Sequence, residues 1–466
     1  MAKLNLSGKD LRNIGYPEGK VIGITMQVMH KSHKHTSFEN ALEILKKILS
    51  EPAEYLEDPV LAKIAYELIE KPKEANDEIP LLVQKKEYNI FGAGNIEEGA
   101  INQMEIASRL PVTVAGALLP DAHQGYGLPI GGVLATENSI IPYGVGVDIG
   151  CRMCLSIFPT SPDKTVHDKR SLYKILLDNT LFGAGREFKV AEENEIIDRK
   201  IFDEIELLKG LKQKASKQLG SSGSGNHFVE FGEVEIYETT EELNIPAGKY
   251  LALLSHSGSR GLGANVANHY TKIAMEKCRL PQEAKHLAWL SLDSAEGMEY
   301  WLAMNLSGDY ASACHHSIHK KIASALALEP LAIVENHHNF AWKEKWNGND
   351  VIVHRKGATP AGKGVLGIIP GSMTAPGFIV RGKGEEASLN SASHGAGRAM
   401  SRGQAFRTIT RKDMKNMLEA NGVTLIGGDI DEAPQSYKDI HEVMKAQKNL
   451  VDVLGTFYPR IVKMDG

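Results

Sequence analysis

Cysteine is scarce in this chain: there are four among 466 residues, with no framework spacing. That excludes a disulfide-stapled scaffold and makes a reducing compartment the expectation. Long apolar runs are also missing. None approaches the roughly 20 residues that cross a bilayer, so no membrane partner is expected. The opening residues, MAKLNLSGKDLRN, lack the apolar core of a signal peptide, and the cytoplasm is the expected location. There is no excess of positive charge either, since 53 Lys and Arg face 58 Asp and Glu for a net −5. Overall basicity therefore does not hold nucleic acid here, although a local basic groove is compatible with this balance. No Walker A loop is present, and no G-x-G-x-x-G stands between a strand and a helix pattern.

Glycine is plentiful, and its placement is informative. Several apolar runs stop at a His, Cys or Asp and then turn through Gly, Ser or Asn: Asp148 and Cys151 in GVGVDIGCRM, His227 in GSGNHFVEF, His256 in LLSHSGSRG, His338 in ENHHNF. This pattern reads as buried strands that each deliver one side chain to a shared place. Asp148 and Cys151 are three apart, so one tight turn aims both at one site. Thiolate and imidazole ligands select Mn, Fe, Co, Ni, Cu or Zn over Mg and Ca. Two such metals about 3.5–4 Å apart clamp a phosphate at both ends of an in-line displacement. Each residue alone has a plainer reading, Cys151 as a small buried apolar residue and each His as a hydrogen-bonded loop residue. Their recurrence in Gly-flanked patches points instead to a metal centre. His394, in SASHGAGR, is left over as a nucleophile beside it.

Two other histidine groups compete. His30, His33 and His35 lie in the Lys-rich HKSHKH and read as a solvated basic segment. His315 and His319 have the i, i+4 spacing that can bind zinc, but neighbouring Lys320 and Lys321 point to a surface face. GSSGSGNH, HSGSRGLG, PGSM and SHGAGR are dense in Gly and Ser, which bring N–H and hydroxyl donors to phosphate oxygens. Arg260, Arg355, Lys356, Arg381 and Arg398 stand near them.

An α+β fold of mixed sheets with helices outside is expected. The candidate ligands spread from 148 to 394, so one interwoven domain, 1–466, should bring them together: a helical part over 1–90 and a motif-bearing core over 90–466. A capping box at Thr36–Glu39 is expected ahead of one helix, and a second helix over 59–71. Further helices are expected over 203–219, 263–279, 284–328, 411–420 and 438–455. Strands are expected at 331–335, 350–354, 365–369 and 378–381.

PDAHQGYGLPIGG, VGVDIGC, GSGNHFVE, HSGSRG, HHN, RKGA, IPGSM, SHGAGR and DEAPQSYKDI resemble, in order, the RtcB family of RNA ligases. The resemblance runs from about residue 90 to the end. It implies joining of RNA ends bearing a 2′,3′-cyclic phosphate or 3′-phosphate to 5′-hydroxyl ends, with GTP and two Mn²⁺ ions. The RNA would be tRNA halves or other cleaved RNA, and the need for an activating protein stays open. By the same resemblance Asp148, Cys151, His227, His256 and His338 would hold the metals, with Cys151 bridging, and His394 would carry the guanylate. Guanylate contacts would come from Asn226, His227, Phe228, Val229, Glu230, His338, Asn339, Pro370, Gly371, Ser372, Met373, His394, Gly395, Ala396, Gly397 and Tyr437. Three positions depart from the family pattern. Gly377 stands where a Ser is usual, and Tyr126 where many members have Lys. The chain ends VKMDG rather than Val-Lys-Gly, which makes Lys463 a displaced candidate for the guanine contact. Two alternatives share these residues: a metal phosphodiesterase that opens cyclic phosphates without joining, and a non-catalytic RNA- or ribosome-binding relative.

Overall fold

The computed structural model describes residues 4, 6–17, 20–69 and 78–466. The chain divides into two compact units, Met1–Asp77 and Glu78–Gly466. The first is helical. Gly8–Asn13, Lys20–Ser32, Phe38–Ser50 and Ala62–Leu68 bury Leu11, Met29, Leu45, Ile48 and Ile64 among themselves. The cap of Phe38–Ser50 is Ser37, whose hydroxyl accepts from the Asn40 N–H. This corrects the expected box by one residue, because Asn40 rather than Glu39 occupies the third helical position. The expected helix 59–71 is Ala62–Leu68, and residues 70 and 71 lie outside the described residues.

The second unit is built on two sheets. Five strands run in the order Tyr88–Ile90, Thr113–His123, Ile130–Thr136, Asn349–Lys356, Asn339–Trp346. An eight-stranded sheet runs Leu366–Ile369, Gly377–Gly382, Val451–Met464, Phe228–Ile236, Gly248–Ser257, Arg152–Phe158, Ala332–His337, with Thr424–Ile426 beside Val451–Met464. Asn336 nearly closes this sheet into a barrel. Its side chain accepts the Ile368 N–H at 2.8 Å and donates to the Ile368 carbonyl at 3.3 Å. One side-chain amide thereby substitutes for a ladder pair between the two end strands. Helices Arg260–Lys277 and Ala295–Leu326 cover the core, so the fold is α+β.

The largest departure from expectation is at the end of the chain. Residues 438–455 were expected as a helix, but only Ile440–Ala446 is one, and Val451–Met464 is a strand. Leu450, Val453 and Leu454 have helical spacing. The strand forms because both of its edges are paired, with Gly377–Gly382 and with Phe228–Ile236. Pro459, which has no N–H to give, falls where the second register shifts. Within 284–328, Leu290–Ser291 is a short strand and the helix proper is Ala295–Leu326. Asn339–Trp346, absent from the expected strands, pairs with Asn349–Lys356 as a hairpin.

One close approach positions the site. Gly150 has φ +70°, and a Cβ there would lie 2.8 Å from the Gly308 Cα on the long helix. Glycine at both points lets the 146–151 loop rest on that helix.

Candidate active site

Strand ends deliver the first cluster. Cys151 immediately precedes strand Arg152–Phe158, His227 precedes Phe228–Ile236, and His338 follows Ala332–His337. In register, Met153 lies opposite His256, which lies opposite Phe228, while Arg152 lies opposite His337. All four ligand-type residues therefore reach the same end of the sheet. Asp148 joins them from the glycine loop, which is tied down by Cys151 N–H to the Asp148 carbonyl at 3.1 Å and by Gly150 N–H to the Asn339 carbonyl at 2.8 Å. A Cβ on Gly258 would lie 1.9 Å from Asp148 Oδ1, so the carboxylate occupies the space that glycine leaves.

The atoms converge. Cys151 Sγ lies 3.1 Å from His256 Nε2 and 3.5 Å from His227 Nε2. His227 Nε2 is 2.9 Å from Asp148 Oδ2, and His256 Nε2 is 3.2 Å from His338 Nε2. Protonation follows from the outer contacts. His256 Nδ1 is 2.9 Å from the Asn226 carbonyl, which only accepts, so Nδ1 carries the hydrogen. Burial pushes the ring's pKa down to about 3, so it is neutral and its Nε2 lone pair faces the cluster. That is the arrangement in which an imidazole binds a metal. Burial holds the Cys151 thiol well up, helped by the Asp148 charge. Burial also works against the Asp148 carboxylate, but the hydrogen bond and charge of His227 leave it below its ordinary value. Cys151, His227 and His256 are close enough together to hold one ion, with Asp148 against His227 and His338 against His256, and this donor set fits a soft divalent metal.

His394 stands beside this cluster, its ring centroid 5.0 Å from that of His338. It follows strand Ser391–Ser393, which pairs with Ala358–Pro360, and the Ala358 N–H reaches the His338 carbonyl at 3.1 Å. Buried Asp121, on strand Thr113–His123, accepts from both His394 Nδ1 at 2.6 Å and the His394 N–H at 3.0 Å. Burial alone would raise the Asp121 carboxyl; the charge and hydrogen bond of His394 bring it below the usual value. The consequence is a fixed tautomer, with Nδ1–H given to Asp121 and the Nε2 lone pair free. Sequence reading missed Asp121, because a single Asp inside an apolar strand gives no periodic signal.

A cleft of about 1110 Å³, including its open mouth, adjoins both groups. Of the expected guanylate contacts, Asn226, Phe228, Glu230, His338, Pro370–Met373, His394–Gly397 and Tyr437 line it. Glu230 is 4 % exposed, has no side-chain partner among the described residues, and burial raises its carboxyl well above the usual range. His227 and Asn339 lie toward the Cys151 side; Asn339 Nδ2 donates to the Asp148 carbonyl at 3.3 Å. Val229 turns to the opposite face of its strand and packs with Phe231, Leu251 and Ile461.

Lys463 is a correction. Its Nζ donates to the carbonyls of Leu176 and Thr180, both at 3.1 Å, beneath Phe182. Side chains alternate along a strand, so Val462 and Met464 face the cleft and Lys463 cannot. Arg355 is likewise not available to phosphate. It is fully buried and bidentate to Glu344 at 2.5 and 3.1 Å. Arg398 does line the cleft, with its guanidinium over the Tyr437 ring.

His315 and His319 are buried, not on a surface face. With Cys154 they form a second group whose atoms are close enough for a metal. Their nitrogens, however, are all engaged. Ser257's carbonyl takes His315 Nε2–H at 3.1 Å, so His315 Nδ1 accepts from Ser255 Oγ at 2.6 Å. Ser255 Oγ then accepts from His319 Nε2 at 2.7 Å, and His319 Nδ1 accepts from Ser156 Oγ at 2.7 Å. The chain of donors is complete without an ion.

Comparison with known proteins gives a consistent answer. A family model described as tRNA-splicing ligase RtcB matches residues 103–465. RNA-splicing ligase RtcB of Escherichia coli (strain K12) is 32% identical over 391 residues, covering 78% of this chain and 93% of that protein. The tRNA-splicing ligase RtcB of Methanococcus maripaludis is 30% identical over 420 residues, with 75% and 87% covered. That of Nanoarchaeum equitans is 29% identical over 465 residues, with 84% and 96% covered.

Proposed function

The chain belongs to the RtcB family, and from that membership we propose that it is an RNA ligase of the RNA-splicing type, working with GTP and manganese through a guanylate on His394. One observation carries this reading: Asp121 holds the Nδ1–H of His394, which turns Nε2 of the ring to act as the nucleophile between the cleft and the Asp148, Cys151, His227, His256, His338 cluster. A binding protein needs no such oriented imidazole.

Those five residues would hold two metal ions. Bound there, the ions would supply Lewis-acid charge at phosphate oxygens and activate a water that opens a cyclic phosphate. The remaining work belongs to the chain. His394 Nε2 attacks the α-phosphorus of GTP as the bond to pyrophosphate breaks. Positive charge then develops on the ring, and Asp121 stabilises it through Nδ1–H. Gly371–Met373 and Gly395–Gly397 line the same cleft, and their backbone N–H groups would suit the phosphate oxygens. An RNA 3′-phosphate oxygen displaces His394 from the guanylate. The 5′-hydroxyl then attacks the RNA phosphorus, and GMP leaves.

Glu230 explains a preference for guanine. An unpartnered carboxylate aimed into the cleft accepts from two adjacent donors, and guanine offers N1–H and N2–H where adenine does not. RNA ends of splicing or of cleavage are the substrates in this reading. Among the described residues no helix is long and apolar enough to cross a membrane.

The test is joining. An RNA ending in a 3′-phosphate or a 2′,3′-cyclic phosphate and a 5′-hydroxyl RNA, incubated with protein, Mn²⁺ and GTP, should give one product with a 3′,5′-phosphodiester, and none without GTP. Opening of a cyclic phosphate with no joining would favour the phosphodiesterase instead.

A further inference from the structure

Beside the cluster, and outside the cleft, three rings stand together. Tyr126 is 69% exposed, and its ring meets that of His286 edge-on at 6.2 Å. Tyr143 stacks on the other ring at 5.2 Å and 30°. The loop that carries Tyr126 is pressed onto this segment: a Cβ on Gly127 would lie 3.0 Å from the His286 carbonyl oxygen. His286 Nδ1 is buried without a hydrogen-bond partner among the described residues. Lys285 and Lys356 stand near the His286 ring, and burial lowers the Lys356 ammonium to about 7. Lys356 links the rings to the site. Its Nζ donates to the Tyr126 carbonyl at 2.5 Å and lies 4.9 Å from the Tyr143 ring centre. In the hairpin it pairs with Asn339, next to His338.

A large exposed ring backed by a second ring, a lysine beside it in Lys285 and adjacency to a phosphate-handling site together match single-stranded nucleic acid. Bases stack on aromatic faces while the cations track the backbone. A surface tyrosine without such support would be unremarkable. We propose that Tyr126, backed by His286 and Tyr143, is a stacking platform for a nucleobase of the single-stranded RNA next to the joining site. This rests on the ligase reading, and it names how the substrate is held.

The experiment uses the full chain with Mn²⁺ and no GTP, so that no turnover occurs. Short RNAs carry 2-aminopurine beside either a 5′-hydroxyl or a 3′-phosphate. Binding should quench the fluorescence of one of them, and the arm that responds identifies which end is stacked. Tyr126→Ala should remove the quench and weaken that RNA's binding about tenfold, while Tyr126→Phe and Tyr126→Trp stay within about twofold of the unaltered protein. Guanylylation of Tyr126→Ala by labelled GTP should be unchanged, which separates this surface from the nucleotide step. No quench in either arm, or affinity of Tyr126→Ala within about twofold of the unaltered protein, overturns the platform while leaving the ligase reading standing. Loss of guanylylation in Tyr126→Ala would mark the ring as structural and overturn it too. Failure of the unaltered protein to bind either RNA overturns both.

Discussion

Asp121 Oδ2 accepts two hydrogen bonds from one residue, His394: from Nδ1 at 2.6 Å and from the main-chain N–H at 3.0 Å. The pair fixes both the position and the tautomer of the ring. Asp121→Asn removes the anion and can donate to Nδ1, which would put the hydrogen on Nε2. Guanylylation should slow by on the order of 10⁴-fold, as for other oriented imidazoles that lose their carboxylate. Metal content should be unchanged. Single-turnover labelling with α-labelled GTP reads the rate, and a fall of less than about threefold would show that Asp121 is only structural.

Cys151→Ala separates ligation from packing. The thiol is buried against the His227 and His256 imidazoles, yet the substitution removes little volume. A stability loss of about 1–2 kcal/mol is expected. Bound manganese, measured after dialysis, should fall to background and guanylylation should stop. Wild-type metal content in this variant would mean that the cysteine is a core residue.

Glu230→Gln tests base choice. The carboxylate becomes an amide that can no longer accept both guanine N–H groups, so one polar group is left unpaired. Preference for GTP over ATP should drop by at least about a hundredfold, read by competition in the labelling reaction. Binding of guanine should also lower the raised carboxyl, because donors favour its charged form. An unchanged preference would place guanine recognition elsewhere.

Buried neutral histidines set the acid limit of the fold. His354 accepts the Ile141 N–H at Nε2, 2.9 Å, and lies 3.2 Å from the Leu134 carbonyl through Nδ1. Burial lowers its pKa from 6.5 to about 4, and that of His319 to about 3. Below 6.5 the unfolded chain gains protons that the folded chain refuses. Stability is therefore full above pH 6.5 and is lost as pH falls toward 4, by about 1.4 kcal/mol per pH unit for each such group. Urea unfolding of metal-free protein between pH 7 and 4.5 should show this slope. His354→Gln, which keeps one donor and one acceptor, should flatten it by about one proton's worth. An identical slope in the variant would contradict the assignment.

What the sequence made legible were strand ends. Cys151 and His227 stand just before a strand, His256 near the end of one and His338 just after one, and the Gly, Ser or Asn beside each interrupts the apolar run, which is readable locally. Asp121 was not legible, since its role comes from a partner 273 residues away. Lys463 illustrates the same limit in reverse. Its motif position suggested the cleft, but the strand's alternation turned it to Leu176 and Thr180. Within 438–455 the helix stops at Ala446, and the residues from Val451 kept helical spacing yet joined a strand because pairing on both edges outweighed it. His315 and His319 looked solvated beside two lysines, whereas their own face of the helix is buried against Ser156 and Ser255.

The covalent step is the centre of the account. Protein incubated with α-labelled GTP and Mn²⁺, digested and mapped by mass spectrometry, should carry GMP on His394 alone, as an acid-labile, alkali-stable phosphoramidate. An adduct on a lysine, or none with any divalent metal, would contradict it.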